Sequence, residues 1–305
     1  FENKGDKNDD FYAYGISSDL IKDVSSAGML RVAGLGDIEK LEYSEMNYNE
    51  LADKLRVRYV AKGTLWKMDS VFQLSMELFD TKNSEVVWSN RWQTNWSDLS
   101  MIKKDLSNEI LANLNVMVTK NAEQVNVVGN PEAYEYYLKG KYKFKKRTSL
   151  EDKEISIGML EQAINLDSNL VSAINLLGLT YRSINDLDKA EEVYNKAKEV
   201  SIRLNNMVAQ CSSINGLASV QVNRAKFDDA LVLAKEAASI AKEVGDKGQI
   251  IRCLNGIAVI YSRRGNVHKS IKNYIEMIPI AESLDDKSSL CLANLNLANA
   301  YIRLG

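Results

Sequence analysis

The chain has 305 residues, of which 45% are hydrophobic, and its 39 basic and 41 acidic side chains give a formal net charge of −2. This length predicts about two domains. The near balance of charges excludes a general electrostatic attraction to nucleic acids or anionic membranes. No stretch approaches the roughly 18 consecutive apolar residues that a membrane-spanning helix requires. From the cysteine usage described below we expect a cytoplasmic protein.

The first 118 residues contain both strand and helix patterns. Apolar residues at every second position, separated by short polar turns, predict an antiparallel meander. Spacings of three and four residues predict helices, the last of which begins at the cap Ser97-Asp98. In chain order we predict a helix at 18–27, a strand at 30–35, a helix at 47–55, strands at 56–68, 71–80 and 85–94, and the helix after residue 98. The fold class of this part is therefore α+β, with a mixed or antiparallel sheet and helices on one face.

The rest of the chain is repetitive. A polar stretch, 119–130, is interpreted as a linker. Beyond it, similar segments recur at an interval of 40 residues, at 175–181, 215–221, 255–261 and 295–301. A repeat of this period is too small to bury its own apolar face, so the pattern predicts a stacked helical array.

Each repeat has small residues where the two helices of a pair would approach closely. They are Gly178, Ala218, Ala258 and Ala298 in the first helix and Ala190, Ala230 and Ser270 in the second. These spacings resemble the tetratricopeptide repeat, and a less regular copy precedes them at 131–169. The resemblance implies an all-α superhelical solenoid over 131–305, with four to five repeats, the last one truncated. Because the period is 40 residues and the usual one is about 34, we expect longer helices than standard.

Residues 1–118 resemble a second family. The segment Ala13-Tyr14-Gly15, the strand with Lys62-Gly63-Thr64 and the stretch LFDTKNSEVVWSNRW at 78–92 are similar to the pattern of the TolB N-terminal-like domain of bacterial regulators. The resemblance implies that the first strand of this domain is missing, since it would end near Phe1. We therefore expect the chain to be an internal segment, preceded in proteins of this layout by an output domain.

Together the two resemblances imply a non-catalytic sensory segment of a bacterial signalling protein, in which the groove of the array binds a protein or peptide partner. An alternative is the regulatory tail of an adenylate or guanylate cyclase or of a Ser/Thr kinase. A second alternative is the sensor part of a DNA-binding transcriptional regulator. In each case the upstream output domain of the same protein is a further partner, and the sequence before Phe1 would discriminate between them.

The residues themselves indicate no catalytic chemistry. The single histidine, His268, falls in a predicted turn, without an identifiable Cys or Ser partner. The acidic pairs Asp9-Asp10, Asp228-Asp229 and Asp285-Asp286 lie in turns or at helix starts, where carboxylates complement the helix dipole. Histidines and cysteines are too few and too scattered for metal-ligand spacing. We expect no catalytic residue, no cofactor and no metal.

One basic segment, 139–147, mixes lysines with Tyr142 and Phe144. Such a composition suits phosphate contact and base stacking. The basic, solvated face of a helix is the other interpretation. Because the overall charge is not basic, we expect no nucleic-acid partner.

The best candidate site is a series of asparagines. Asn175, Asn215 and Asn255 recur at one position of the repeat template, and the fourth copy has Leu295 there. The tetratricopeptide resemblance implies that this position faces the groove. An amide can donate to and accept from one peptide unit of an extended ligand.

Three arginines accompany the asparagines. Arg263 and Arg303 share a template position, and Arg182 lies one position earlier in its own repeat. Guanidinium groups on the groove would favour an acidic ligand. The alternative is that the asparagines bond to neighbouring helices and the arginines are merely solvated.

The cysteines, Cys211, Cys253 and Cys291, are placed by the template at the starts of first helices. Stacked helices separate such positions by about 10 Å, whereas a disulfide requires Cα atoms within about 7 Å. We therefore expect packed, reduced thiols and a reducing compartment.

Overall fold

The computed structural model describes residues 1–26, 32–68, 71–95, 99–114, 129–284 and 286–304. The chain divides into two compact units, Phe1–Lys146 and Arg147–Gly305. The first unit contains β1 (Glu2–Asn3), α1 (Asp10–Ser26), α2 (Leu35–Ile38), α3 (Tyr48–Leu55), β2 (Tyr59–Met68), β3 (Val71–Asp80), β4 (Glu85–Asn95), α4 (Leu99–Asn113) and α5 (Pro131–Lys146). The second contains α6 (Leu150–Leu166), α7 (Val171–Ser183), α8 (Leu187–Arg203), α9 (Met207–Asn223), α10 (Phe227–Val244), α11 (Lys247–Arg263), α12 (Val267–Ser283) and α13 (Lys287–Ile302).

The sheet of the first unit is mixed, with the order β1-β2-β3-β4 among the described residues. β2, β3 and β4 pair antiparallel in sequence, so the predicted meander is confirmed. β1 pairs with β2 in parallel through Glu2 and Asn3. The side chains of β3 from Phe72 to Asp80 alternate between buried and more exposed, which is the pattern of a strand with one face in the core.

Helices cover both faces of this sheet, not one face as expected. On one face the rings of Tyr12 in α1 and Phe72 in β3 meet edge to face, with centroids 4.9 Å apart. On the other face Tyr48 of α3 stacks on Phe79 with centroids 4.5 Å apart. Phe72 and Phe79 are an odd number of residues apart and therefore point to opposite faces. Val60, which pairs with Phe79, is buried under α3 on the second face.

The helix predicted at 18–27 is longer than expected and begins at Asp10. Tyr12, Ile16 and Leu20 are all buried and lie four residues apart, which places them on one face of the helix. The additional turns of α1 are therefore held by the core of the first unit.

Some predictions lie wholly or partly outside the described residues. The strand predicted at 30–35 is described only from residue 32, and 32–34 have no regular structure before α2 begins at Leu35. That part of the prediction is wrong. The predicted linker, 119–130, is described only at its last two residues, and the cap Ser97-Asp98 lies outside the described ranges.

Helix α5, predicted as the start of the repeat array, packs against α1 in the first unit. The Tyr134 hydroxyl donates to Asp19 Oδ2 at 2.7 Å, and Lys141 Nζ donates to Asp19 Oδ1 at 2.7 Å. Gly15 permits the close approach, because a Cβ there would stand 2.4 Å from Leu138. The compact units therefore divide at a later position than the predicted domain boundary.

The second unit is a helical solenoid. Consecutive helices contact each other, and α7 also contacts α9, α9 contacts α11, and α11 contacts α13. Helices α8, α9, α11 and α12 each have 17 residues, which confirms the expected long helices. We call α7, α9, α11 and α13 the first-helix layer. Within the described ranges of the whole chain, no helix combines the length and apolar character needed to cross a membrane.

The turns of the second unit repeat every 20 residues. Positive φ angles occur there at Asn185, Asn205, Ala225, Gly245 and Gly265. In four of these turns, and again before α13, the next helix begins at an Asp or Asn whose side chain accepts from a backbone N–H, namely Asp186, Asn206, Asp246, Asn266 and Asp286. A left-handed residue ends one helix and a cap begins the next, so the chain reverses within a short turn.

Candidate functional site

The structure places the three predicted asparagines on consecutive helices of the first-helix layer. Asn175, Asn215 and Asn255, which we call the asparagine ladder, lie on α7, α9 and α11, and each is partly buried. Asn215 Oδ1 lies beside the next helix of the layer, since a Cβ at Gly256 would stand 3.6 Å from it. The ladder ends at α13, where Leu295 is 59% exposed.

Two ladder oxygens have unsatisfied hydrogen-bonding capacity. Asn175 Oδ1 and Asn255 Oδ1 are buried, and neither has a hydrogen-bond partner among the described residues. An unpartnered buried polar group costs about 1–3 kcal/mol. Rotation about the last side-chain bond exchanges the oxygen with the NH₂ group, so the buried position can hold either an acceptor or a donor.

The three predicted arginines have different surroundings. Burial raises the pKa of Tyr194, and the Arg182 guanidinium beside its hydroxyl opposes that rise. Arg182 Nε is itself buried without a described hydrogen-bond partner. Arg263 is exposed. Arg303 donates to Ser262 O at 3.2 Å and to Ser262 Oγ at 3.0 Å. The structure therefore brings Arg303 to the helix end that carries Arg263, while Arg182 is two repeats away.

Tyr194 of α8 fixes the close approach of α7 and α9. A Cβ at Gly178 would stand 2.9 Å from its ring, and a Cβ at Gly216 would stand 2.3 Å from it. The repeat alignment identified Gly178, which shares its position with Ala218. It gave no indication that Gly216, two residues before that alanine, also accommodates the ring.

A chain of polar side chains beside the ladder was not predicted. Gln249 Nε2 donates to Ser212 Oγ at 2.7 Å, which links α11 to α9, and Arg252 Nε donates to Gln249 Oε1 at 3.2 Å. Arg252 is exposed and lies three residues before Asn255, so both are on one face of α11. The repeat alignment gave no indication of this link, because it depends on which side chains meet across the contact between α11 and α9.

The described acidic pairs lie where helices begin. Asp228 and Asp229 are in the first turn of α10, and Asp286 caps α13, while Asp285 lies outside the described residues. His268 is exposed in the first turn of α12. Within the described ranges, no group of three or more His, Cys, Asp or Glu side chains is arranged to hold a metal ion.

The basic run on α5 makes ion pairs inside the first unit. Lys139 Nζ lies 2.6 Å from Glu135 Oε1. Lys145 and Lys146 lie 3.2 Å and 3.6 Å from the carboxylate of Glu39. Together with the pairing of Lys141 to Asp19 described above, these contacts neutralise much of the basic face.

The side chains of two of the three cysteines meet. The Sγ atoms of Cys211 and Cys253 are 4.0 Å apart, and both thiols are free and buried. The estimate of about 10 Å refers to helix axes, whereas these two side chains point towards each other across the contact between α9 and α11. Cys291 is exposed.

The paired long helices, their short periodic turns and the first-helix layer define a solenoid of tetratricopeptide type. A signal transduction ATPase with numerous domains (STAND) with a tetratricopeptide repeat sensor, from Pyrococcus horikoshii, is 21% identical, with a TM-score of 0.50 over 68% of this chain and 32% of that chain. BtubC (BKLC) from P. vanneervenii is 16% identical, with a TM-score of 0.50 over 68% of this chain and 82% of that chain.

These likenesses concern the fold alone and support the tetratricopeptide-type solenoid. The aligned region spans about a third of the length of the P. horikoshii protein, since it covers 32% of that chain. No protein-family model and no curated protein matches the sequence.

Proposed function

We propose that the array binds an extended segment of a protein or peptide along the asparagine ladder, and that the chain is a non-catalytic sensory and interaction segment of a cytoplasmic bacterial signalling protein. The observation that carries the proposal is the pair of unpartnered oxygens of Asn175 and Asn255 on helices of one layer. An extended peptide presents N–H and C=O groups at regular intervals and supplies the missing partners.

Charge favours an acidic ligand. Arg252 and Arg263 are exposed on α11. Arg182 and Arg303 lie at the ends of other helices in the same layer. Charge-assisted hydrogen bonds to carboxylates are stronger than neutral ones, so acidic side chains next to the gripped backbone would add affinity and fix the register.

The signalling role is supported by the resemblance of residues 1–118 to the TolB N-terminal-like domain, and by the sensor role that the description of the P. horikoshii protein gives to its repeats. In this proposal the occupied array acts on an output domain of the same protein: a nucleotide cyclase, a kinase or a DNA-binding domain. A shift in the packing of consecutive helices is the means by which a solenoid can transmit occupancy.

A displayed library of random peptides tests the binding proposal directly. The 305-residue chain should enrich a family of peptides, and the Kd of an enriched peptide is then measured by fluorescence anisotropy. The triple variant Asn175→Ala, Asn215→Ala, Asn255→Ala should weaken that affinity roughly 10-fold or more, since each lost hydrogen bond contributes about 0.5–1.5 kcal/mol. Equal affinity of the variant and the parent would refute the ladder as the binding site.

A matched control separates binding from folding. Asn195→Ala removes an exposed asparagine of α8, outside the first-helix layer, and should leave the affinity unchanged. Asn175→Ala and Asn255→Ala should each raise the free energy of unfolding by up to about 1 kcal/mol, because alanine favours helix and the unpartnered oxygen is removed. A clear loss of stability would instead show that the asparagines hold the helices together.

A further inference from the structure

Two buried thiols meet at the contact between α9 and α11. Cys211 is 1% exposed and Cys253 is fully buried, and their Sγ atoms are 4.0 Å apart. The Cys211 thiol also lies within donor distance of Ala237 O, at 3.3 Å, on the intervening helix α10. In a disulfide the sulfur atoms are about 2.05 Å apart. The two sulfur atoms therefore need to close by about 2 Å.

The two sulfur atoms share a hydrogen bond in which either thiol can be the donor. This hydrogen bond raises the pKa of the thiol that donates it, here Cys211, and lowers the pKa of the other, Cys253, while Arg252 lowers the pKa of both. Whichever sulfur ionises first therefore has a protonated thiol beside it. This is the arrangement of an attacking and a resolving cysteine.

We propose that Cys211 and Cys253 form a redox modification site, in which hydrogen peroxide converts the pair into a disulfide that joins α9 to α11 and a low-molecular-weight thiol reduces it back. The thiolate of one cysteine attacks one peroxide oxygen, the O–O bond breaks and hydroxide leaves as water after protonation. The other cysteine then attacks the sulfenic acid so formed, the S–O bond breaks, and a second water carries away the thiol proton. One peroxide and two thiols give one disulfide and two waters.

The disulfide would connect residues 42 positions apart in sequence, on neighbouring helices of the first-helix layer. Closing a loop of that length constrains the unfolded chain, and we expect the melting temperature of the oxidised protein to rise by roughly 10 °C. Reversible disulfides of this kind are compatible with a reducing compartment, where they are redox-sensing and transient.

Mass spectrometry on the full 305-residue chain tests the site. In a Cys291→Ser background, which removes the exposed thiol, peroxide should lower the intact mass by about 2 Da, because disulfide formation removes two hydrogens. A non-reducing peptide map should show one peptide with Cys211 linked to one with Cys253, and dithiothreitol should reverse both changes. The further variant Cys253→Ser should show neither change.

Because the two thiols are buried, the temperature of the peroxide reaction matters. Peroxide reaches such thiols through local opening, so the reaction is followed both at 25 °C and a few degrees below the melting temperature, with wild-type Cys291 as the accessible reference. The proposal would be overturned if Cys211 and Cys253 remained free thiols at both temperatures after Cys291 had been fully oxidised. Separate sulfinic acids, each adding about 32 Da, without a linked peptide would also overturn it.

Discussion

Gly216 occupies a place that only a residue without a side chain can fill. A Cβ there would stand 2.3 Å from the buried ring of Tyr194, well inside ordinary van der Waals contact. Gly216→Ala should lower the free energy of unfolding by about 2 kcal/mol, since overpacking of a core typically costs 1–3 kcal/mol. Urea unfolding followed by circular dichroism measures the change.

The matched control is Gly158→Ala. Gly158 is exposed in the middle of α6, and nothing lies within 4 Å of the added Cβ. This substitution should raise stability by about 0.5–1 kcal/mol, because alanine is the better helix former. If Gly216→Ala behaved like Gly158→Ala, the close packing of Tyr194 against α9 would be contradicted.

Repetition in the sequence was informative about position but not about partners. The spacing of 40 residues placed Asn175, Asn215 and Asn255 on equivalent helices, and the structure agrees. The same spacing could not show which oxygens lack a partner, nor that Cys211 and Cys253 meet. Both features depend on the directions of side chains across a contact between helices. The two cysteines are also 42 residues apart, so they do not share a template position.

At the scale of elements, α5 and α1 are joined by a buried carboxylate. The side chain of Asp19 is 7% exposed and pairs with that of Lys141, which is 17% exposed. Asp19 also accepts a hydrogen bond from the Tyr134 hydroxyl. Breaking such a pair leaves an uncompensated charge. Asp19→Asn should destabilise the first unit by about 3 kcal/mol, measured by urea unfolding with tryptophan fluorescence.

An exposed ion pair gives the control for this prediction. Lys40 and Asp37 lie 3.2 Å apart with side chains 76% and 50% exposed, and Asp37→Asn should change stability by less than about 1 kcal/mol. The double variant Asp19→Asn, Lys141→Met should recover much of the loss, because it removes the orphaned charge. If Asp19→Asn had no more effect than Asp37→Asn, the buried pair would not hold α5.

Elements with strong local periodicity were predicted well. β2, β3 and β4 alternate clearly and are separated by short polar turns, so their bounds agree with the prediction within a few residues. Two tertiary features did not follow from pattern. Because β2 contains polar residues, the sequence predicted only one covered face of the sheet. The structure shows a second covered face, on which α3 packs through Tyr48. The apolar side of α5 did not reveal whether it faces a repeat or α1, because either partner requires the same helical spacing.

At the scale of the whole molecule, each compact unit has its own core. In the first unit Leu65, Phe72 and Leu74 are fully buried. In the second, Ile214 and Ile260 belong to a separate cluster of alanines and aliphatic side chains. A chain with two cores can unfold in more than one step, and multi-domain proteins often depart from two-state unfolding.

The chain offers two probes that report different units. Its 4 tryptophans, Trp66, Trp88, Trp92 and Trp96, all belong to the first unit, whereas most helical residues belong to the second. Leu74→Ala and Ile214→Ala each truncate a fully buried aliphatic side chain and should each cost about 2–5 kcal/mol. Leu74→Ala should lower the urea midpoint measured by fluorescence. Ile214→Ala should lower the main midpoint measured by circular dichroism. If either substitution moved both midpoints equally, the two units would form one cooperative structure, and the separate cores would not be thermodynamically separate.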